Sequence, residues 1–208
     1  RAWAERTQGL VIPIRRPAEL AGDTATVDAA ARSALTMYEA RNSSSQREGA
    51  AGGWADATGA PRPTDSARSP PASRLWPSHP IVILYGNVPV RPHDLTDRAV
   101  TLLQESRADS VQSYAPVGKY HPWWMARVDV ESGAVRPWEG EVLNHGVFRR
   151  QDLPAAYVPD GGVIALTREA LMLEIDGVRP GPHAFFGRED RRRGVINAEG
   201  AVVDIDTR

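Results

Sequence analysis

Arg149-Arg150-Gln151-Asp152-Leu153-Pro154-Ala155-Ala156-Tyr157-Val158-Pro159-Asp160-Gly161-Gly162 runs directly into Val163-Ile164-Ala165-Leu166. The first part carries guanidinium groups, an amide, two carboxylates, a phenol and a glycine pair. The second is a short apolar run, the pattern of a buried strand. A polar, turn-rich loop feeding a core strand is a common way to set a site on an α/β sheet. Guanidinium groups fork onto carboxylates or phosphates, and paired glycines let a ligand approach the backbone. The same stretch also fits an ordinary surface loop with a turn, so its surroundings must decide.

Upstream, Pro80-Ile81-Val82-Ile83-Leu84-Tyr85 is a second apolar run bounded by turn residues, and predicts another buried strand. Gly86 to Pro92 turns at its carboxyl end, where ligands sit in an open parallel sheet. Asp94 to Arg107 is amphipathic, with Leu95, Ala99, Leu102 and Leu103 on one face. Ser110 to Tyr114 is a further strand, and Thr167 to Glu174 a short helix. This strand-turn-helix-strand order predicts an α/β fold with a doubly wound, mostly parallel sheet.

Nearer the start, Asp23 and Thr24 are N-cap residues for a helix to about Ala40, with Ala30, Ala31, Ala34, Leu35 and Tyr38 as its buried face. Arg16 stands close to that helix start, which makes an anion-friendly corner or simply a capped helix. Residues 41–79 are rich in Ser, Gly, Ala, Pro and Arg, and are expected to form a disordered insertion. Residues 116–145 hold Lys119, His121, Trp123, Trp124 and Trp138. They predict a hairpin-like excursion whose aromatics suit a partner subunit or a sugar, or pack on their own domain. The run Arg188, Glu189, Asp190, Arg191, Arg192, Arg193 is a solvated loop or an anion site.

At the end, Ala201-Val202-Val203-Asp204-Ile205-Asp206-Thr207-Arg208 places Asp204 and Asp206 on one face of an extended segment. Adjacent carboxylates repel unless a cation lies between them. Mg²⁺ with a substrate phosphate fits that pattern, and so does a polar terminus without a ligand.

The totals narrow the classes. The chain has 208 residues, enough for one sizeable domain, and a net charge of -1, which argues against a nucleic-acid surface. There is no cysteine, which removes disulfides, thiolate chemistry and cysteine-zinc sites and fits a reducing, cytoplasmic setting. No apolar run approaches the roughly 18 residues needed to span a bilayer, so no membrane partner is expected. No signal peptide is visible, and the first residue, Arg1, suggests processing or a longer parent chain.

Three separated motifs then line up: Arg16-Pro17-Ala18-Glu19-Leu20-Ala21 with Asp23-Thr24-Ala25, the loop Arg150-Gln151-Asp152-Leu153-Pro154 to Asp160-Gly161, and Asp204-Ile205-Asp206-Thr207. In this order they resemble the acylneuraminate cytidylyltransferases, the CMP-sialic acid synthetases. The segment Ile83 to Arg91 resembles the family's strand and turn at Pro89 and Arg91. Ala108-Asp109-Ser110-Val111 and His121-Pro122 are also similar. The resemblance covers nearly all of the chain outside 41–79.

It implies a Rossmann-like three-layer αβα sandwich of nucleotidyltransferase type. Such enzymes transfer CMP from CTP to the anomeric hydroxyl of an acidic keto-sugar, a nonulosonic acid, and release pyrophosphate with Mg²⁺. By motif, Arg16 and Ala25 would line the cytidine pocket. Arg150 would face the sugar carboxylate, with Gln151 and Tyr85 at the sugar and Asp160 in place of a family asparagine. Asp204 and Asp206 would hold the metal and, with Arg150, form the catalytic set. A homodimer through the 116–145 excursion is implied too. The family's opening strand and Gly/Ser/Lys loop have no match, so the bare chain is expected to show no turnover. Tyr85, Trp124 and Ile164 replace a glutamine, a lysine and a tyrosine, which predicts a more apolar acidic sugar than the common sialic acid. The alternative implied by these departures is a degenerate, non-catalytic relative that acts as a binding or assembly module.

Overall fold

A computed structural model describes residues 12–22, 25–51, 79–179, 181 and 183–205, with the backbone alone at 42–51. Helix α1 spans Val27–Ala51, and strand β1 spans Ile81–Ile83. Helix α2, Leu95–Glu105, is followed by β2, Ser110–Pro116. Strands β3, Ala126–Val128, and β4, Val135–Pro137, form a separate hairpin. Strand β5, Tyr157–Leu166, leads into α3, Arg168–Met172, and β6 is Arg192–Ile196.

The main sheet has the order β1-β5-β2-β6. Strand β5 runs antiparallel to both neighbours, with Ile81 opposite Leu166 and Ser110 opposite Leu166 on its two sides. The pair β2 and β6 is parallel. The fold is therefore mixed α/β, and the expected mostly parallel sheet is corrected to one with a single parallel pairing among the described residues. The order β1-α2-β2 does leave β1 and β2 pointing the same way. They are not neighbours, however, because the later β5 enters between them in reverse. Nothing in the local apolar pattern of β5 encodes its direction, since a strand buried on both faces looks alike either way.

The alternation along β5 sends its side chains to opposite faces. Val163 and Ala165 pack with Leu95, Ala99 and Leu103 of α2 and with Val111 and Val195. Ile164 and Leu166 pack with Leu35 of α1 and with Ala170 and Leu171 of α3. Both sheet faces thus carry helices. Apolar side chains this deeply buried contribute roughly 1.5–3 kcal/mol each, so this double burial is the main support of the region that holds the site.

Two local features shape the site. The β2–β5 register shifts between Gln112 and Tyr114, with Gln112 opposite Ile164 and Tyr114 opposite Pro159. Ser113 therefore faces the slack of β5 at residues 160–163, as in a bulge. Helix α1 also continues past Ala40 to Ala51, so residues 41–51 of the expected insertion are helical. The apolar stripe stops at Tyr38, but Ala40, Arg41, Gln46, Arg47 and Glu48 are good helix formers that propagate a turn already nucleated. Residues 52–78, and the expected caps Asp23 and Thr24, lie outside the described residues.

Candidate functional site

The turn after β1 is closed by its own arginine. The Arg91 guanidinium donates to the carbonyl oxygens of Tyr85, at 3.1 Å, and Val88. This fixes Gly86-Asn87-Val88 as a rim at the end of the strand. The segment beyond β6 then runs against that rim. Val203 N–H donates to Val90 O at 3.0 Å, and Ile205 N–H to Asn87 O at 2.7 Å. Val90 and Val203 form an antiparallel bridge. Asp204 stands between these two bonds.

A cleft of about 430 Å³ opens here, lined by Tyr85, Asn87, Val88, Asp160, Gly161 and Asp204 among others. Three residues expected at the site, Tyr85, Asp160 and Asp204, thus converge from distant parts of the chain. Gly161 holds φ +73°, a conformation that favours glycine. Asp204 is exposed and its carboxylate makes no ion pair with a described residue. Asp160 differs. One of its oxygens accepts from Ser113 Oγ and from Gly162 N–H, the latter at 3.0 Å. The other accepts from Asn197 Nδ2 at 2.7 Å. Its carboxylate is committed to internal donors, not to the cleft.

A second cleft, about 320 Å³, shares Tyr85 with the first and is lined by Arg16, Pro17, Val27, Ala30 and Met37 among others. It lies between the segment before α1 and the first turns of that helix. Burial, and after it the Asp28 carboxylate, push the Tyr85 phenol above its ordinary pKa. Asp28 is itself bridged to Arg32 at 2.7 Å. Ala25 donates its N–H to Gly22 O at 3.1 Å and does not line this cleft.

Arg150 sits elsewhere. It lines a cleft of about 210 Å³ with Gly118, His121, Pro154 and Tyr157, and this shares no lining residue with the Tyr85–Asp204 cleft. Its floor is stapled by His121, which is buried. Nε2 donates to Pro154 O at 3.1 Å and Nδ1 accepts from Trp123 N–H at 3.2 Å. A Cβ at Gly118 would stand 3.0 Å from Glu199 Oε1 and 3.6 Å from an Arg150 nitrogen, so both charged groups close on that glycine. Gln151 is exposed, and its amide oxygen faces the Arg149 guanidinium at 2.8 Å.

Among the described residues no group of three or more His, Asp or Glu side chains could hold a metal ion. Asp206 lies outside those residues, so the expected carboxylate pair is represented by Asp204 alone. Two residues taken as altered sugar contacts have other roles. Ile164 is in the core beside Leu35, and Trp124 donates Nε1–H to Val147 O at 2.8 Å within the excursion. Of the three replacements, Tyr85 is the one that faces a cleft. The sequence reading missed Asn87, Ser113 and Asn197. Asn87 had a signal, a polar residue in the turn after a buried strand. The other two had none, because their partners come from other strands.

The chain matches no protein-family model and no curated protein. No helix among the described residues is long and apolar enough to cross a membrane.

Proposed function

We propose that the chain is the cytidylyltransferase domain of an enzyme that activates an acidic keto-sugar. It would transfer CMP from CTP to the anomeric hydroxyl of a nonulosonic acid and release pyrophosphate, in the cytoplasm. The observation that carries the reading is the convergence of Tyr85, Asp160 and Asp204 on one cleft, with Tyr85 also lining the cleft of Arg16. One compartment suits a nucleoside and the next a phosphate chain with its acceptor. The three-layer αβα sandwich belongs to the same reading, with α2 on one face of the sheet and α1 and α3 on the other.

Each residue has a task in this scheme. Arg16 meets the nucleotide's negative charge. Gly161 lets the acceptor approach the backbone. Asp204 offers a hard oxygen donor that no described cation has claimed, which fits Mg²⁺, an ion that takes one or two carboxylates plus phosphate oxygens. Asp206 would share that task. When bound, the ion offsets phosphate charge. Arg150 would fork onto the sugar carboxylate. Its separate cleft makes a homodimer part of the proposal, with the 116–145 excursion as the contact. The exposed Tyr120, Val130 and Trp138 support that surface.

A non-catalytic relative is the second reading, favoured by the separation in the fold between Arg150 and the Asp204 cleft. Nucleotide choice is tested first, by calorimetric titration of the full-length protein with CTP, UTP, ATP and GTP. CTP should bind best, and Arg16→Ala should weaken it about 10-fold, the loss expected of one charge-assisted contact. Equal affinity for all four nucleotides would remove the cytidine assignment.

A further inference from the structure

We propose that Asp160 is a positioning residue that holds two walls of the Tyr85–Asp204 cleft at once. The proposal rests on reading that cleft as the site. It changes the role of Asp160 from sugar contact to internal anchor.

The geometry is a relay of four side chains across three elements. Arg98 of α2 donates to Asn197 Oδ1 at 2.7 Å. Asn197 Nδ2 donates to Asp160 Oδ2 at 2.7 Å. Ser113 of β2 donates to Asp160 Oδ1, and its own oxygen accepts from Val163 N–H at 2.9 Å. Ser113 and Asn197 are 0% and 4% exposed, so these bonds are shielded from competing water. A carboxylate that accepts several such donors is held in one place.

The two ends of the relay matter for the cleft. On one side, Asp160 takes the Gly162 N–H at 3.0 Å, which fixes the glycine wall. On the other, Asn197 is the first residue beyond β6, and its N–H also donates to Tyr114 O at 2.8 Å. From there the chain turns and returns as Val202 to Ile205, the wall that carries Asp204. Asp160 thereby sets the start of the Asp204 segment while fixing the irregular stretch of β5 that carries Gly161 and Gly162. Arg98, which also pairs with Asp94 at 3.1 Å, orients the Asn197 amide towards Asp160, and both Asp160 oxygens are taken by internal donors.

Amide hydrogen exchange of the 208-residue chain tests this without nucleotide or sugar. Asn197→Ala and Asp160→Ala should each speed exchange at Val203 and Ile205 about 10-fold or more, as local opening becomes easier. The core amides of β5, at residues 163–166, should stay as slow as in the wild type. The exchanged pair Asp160→Asn with Asn197→Asp keeps an amide-to-carboxylate bond between the two positions and gives Arg98 a second carboxylate beside Asp94. It should restore wild-type exchange, whereas the equally isosteric single change Asn197→Asp, which sets two carboxylates against each other, should not, so packing alone does not account for the rescue. If Asp160→Ala fails to fold, Asn197→Ala and the exchanged pair decide. Unchanged exchange at Val203 and Ile205 in Asn197→Ala, or no rescue by the exchanged pair, overturns the proposal. Because no substrate is present, a failure here and a failure of the cytidylyltransferase reading are separate results.

Discussion

Gly162 leaves no space for a side chain. A Cβ there would stand 2.7 Å from Leu95 Cδ2 and 3.0 Å from both Ser113 Oγ and Val202 Cγ2. We expect Gly162→Ala to cost about 1–3 kcal/mol, the usual penalty of overpacking a close-packed core. Urea unfolding should show it as a lower midpoint at unchanged slope. The glycine pair was legible in the sequence as a place of close approach, but the two residues divide the work. Gly161 faces the cleft and Gly162 the core, a distinction that depends on α2 and on Val202, both remote in sequence. Asp160 was legible as a polar group at the loop end. Its commitment to Ser113 and Asn197 was not, because it depends on a register shift between β2 and β5.

Helices α1 and α3 are joined by a fork. Arg168 donates Nε–H to Glu39 Oε1 at 2.8 Å and an NH₂ hydrogen to Oε2 at 3.1 Å, and also reaches Glu174 at 2.7 Å. The Arg168 hydrogen bonds, more than Coulomb attraction, hold the Glu39 carboxyl below its ordinary 4.5. A depressed carboxyl pKa stabilises the fold fully above the unfolded value and loses that contribution as pH falls through the folded value. The fork is partly exposed, so its worth is about 1 kcal/mol. Arg168→Ala should lower stability by that amount at pH 7 and flatten the acid dependence of unfolding below pH 4.5, the ordinary value. A mutant whose stability falls with acid as steeply as the wild type would assign that slope to other carboxylates. At this scale β1, α2, β2, α3 and the end of β5 follow their apolar patterns. Residues 157–162 of β5 and Arg192 and Arg193 of β6, expected as loop, are strand, because cross-strand pairing to β2 extends both beyond any apolar run. Strand direction and the full length of α1 were not legible, since the first is a tertiary choice and the second needs no apolar stripe.

Across the whole molecule, the candidate site is an assembly of segments that flank the regular elements. The segment before α1 supplies Arg16, the turn after β1 supplies Tyr85 and Asn87, and the segment after β6 supplies Asp204. Resemblance could nominate Arg16, Tyr85 and Asp204 but could not say which share a cleft. Arg150 shows the limit: it belongs to the most site-like stretch of the sequence, yet the fold places it beside Gly118 and His121, in a cleft apart from that of Asp204. The proposed homodimer would have to bring the two together for Arg150 to meet the sugar. The most direct test is mass spectrometry of reactions that contain the full-length protein, CTP, Mg²⁺ and a panel of nonulosonic acids. A cytidylyltransferase built on this cleft gives a CMP–sugar conjugate with equimolar pyrophosphate, lost in Asp204→Asn while CTP still binds. Bound CTP without a conjugate from any acid, or a conjugate undiminished in Asp204→Asn, would contradict it.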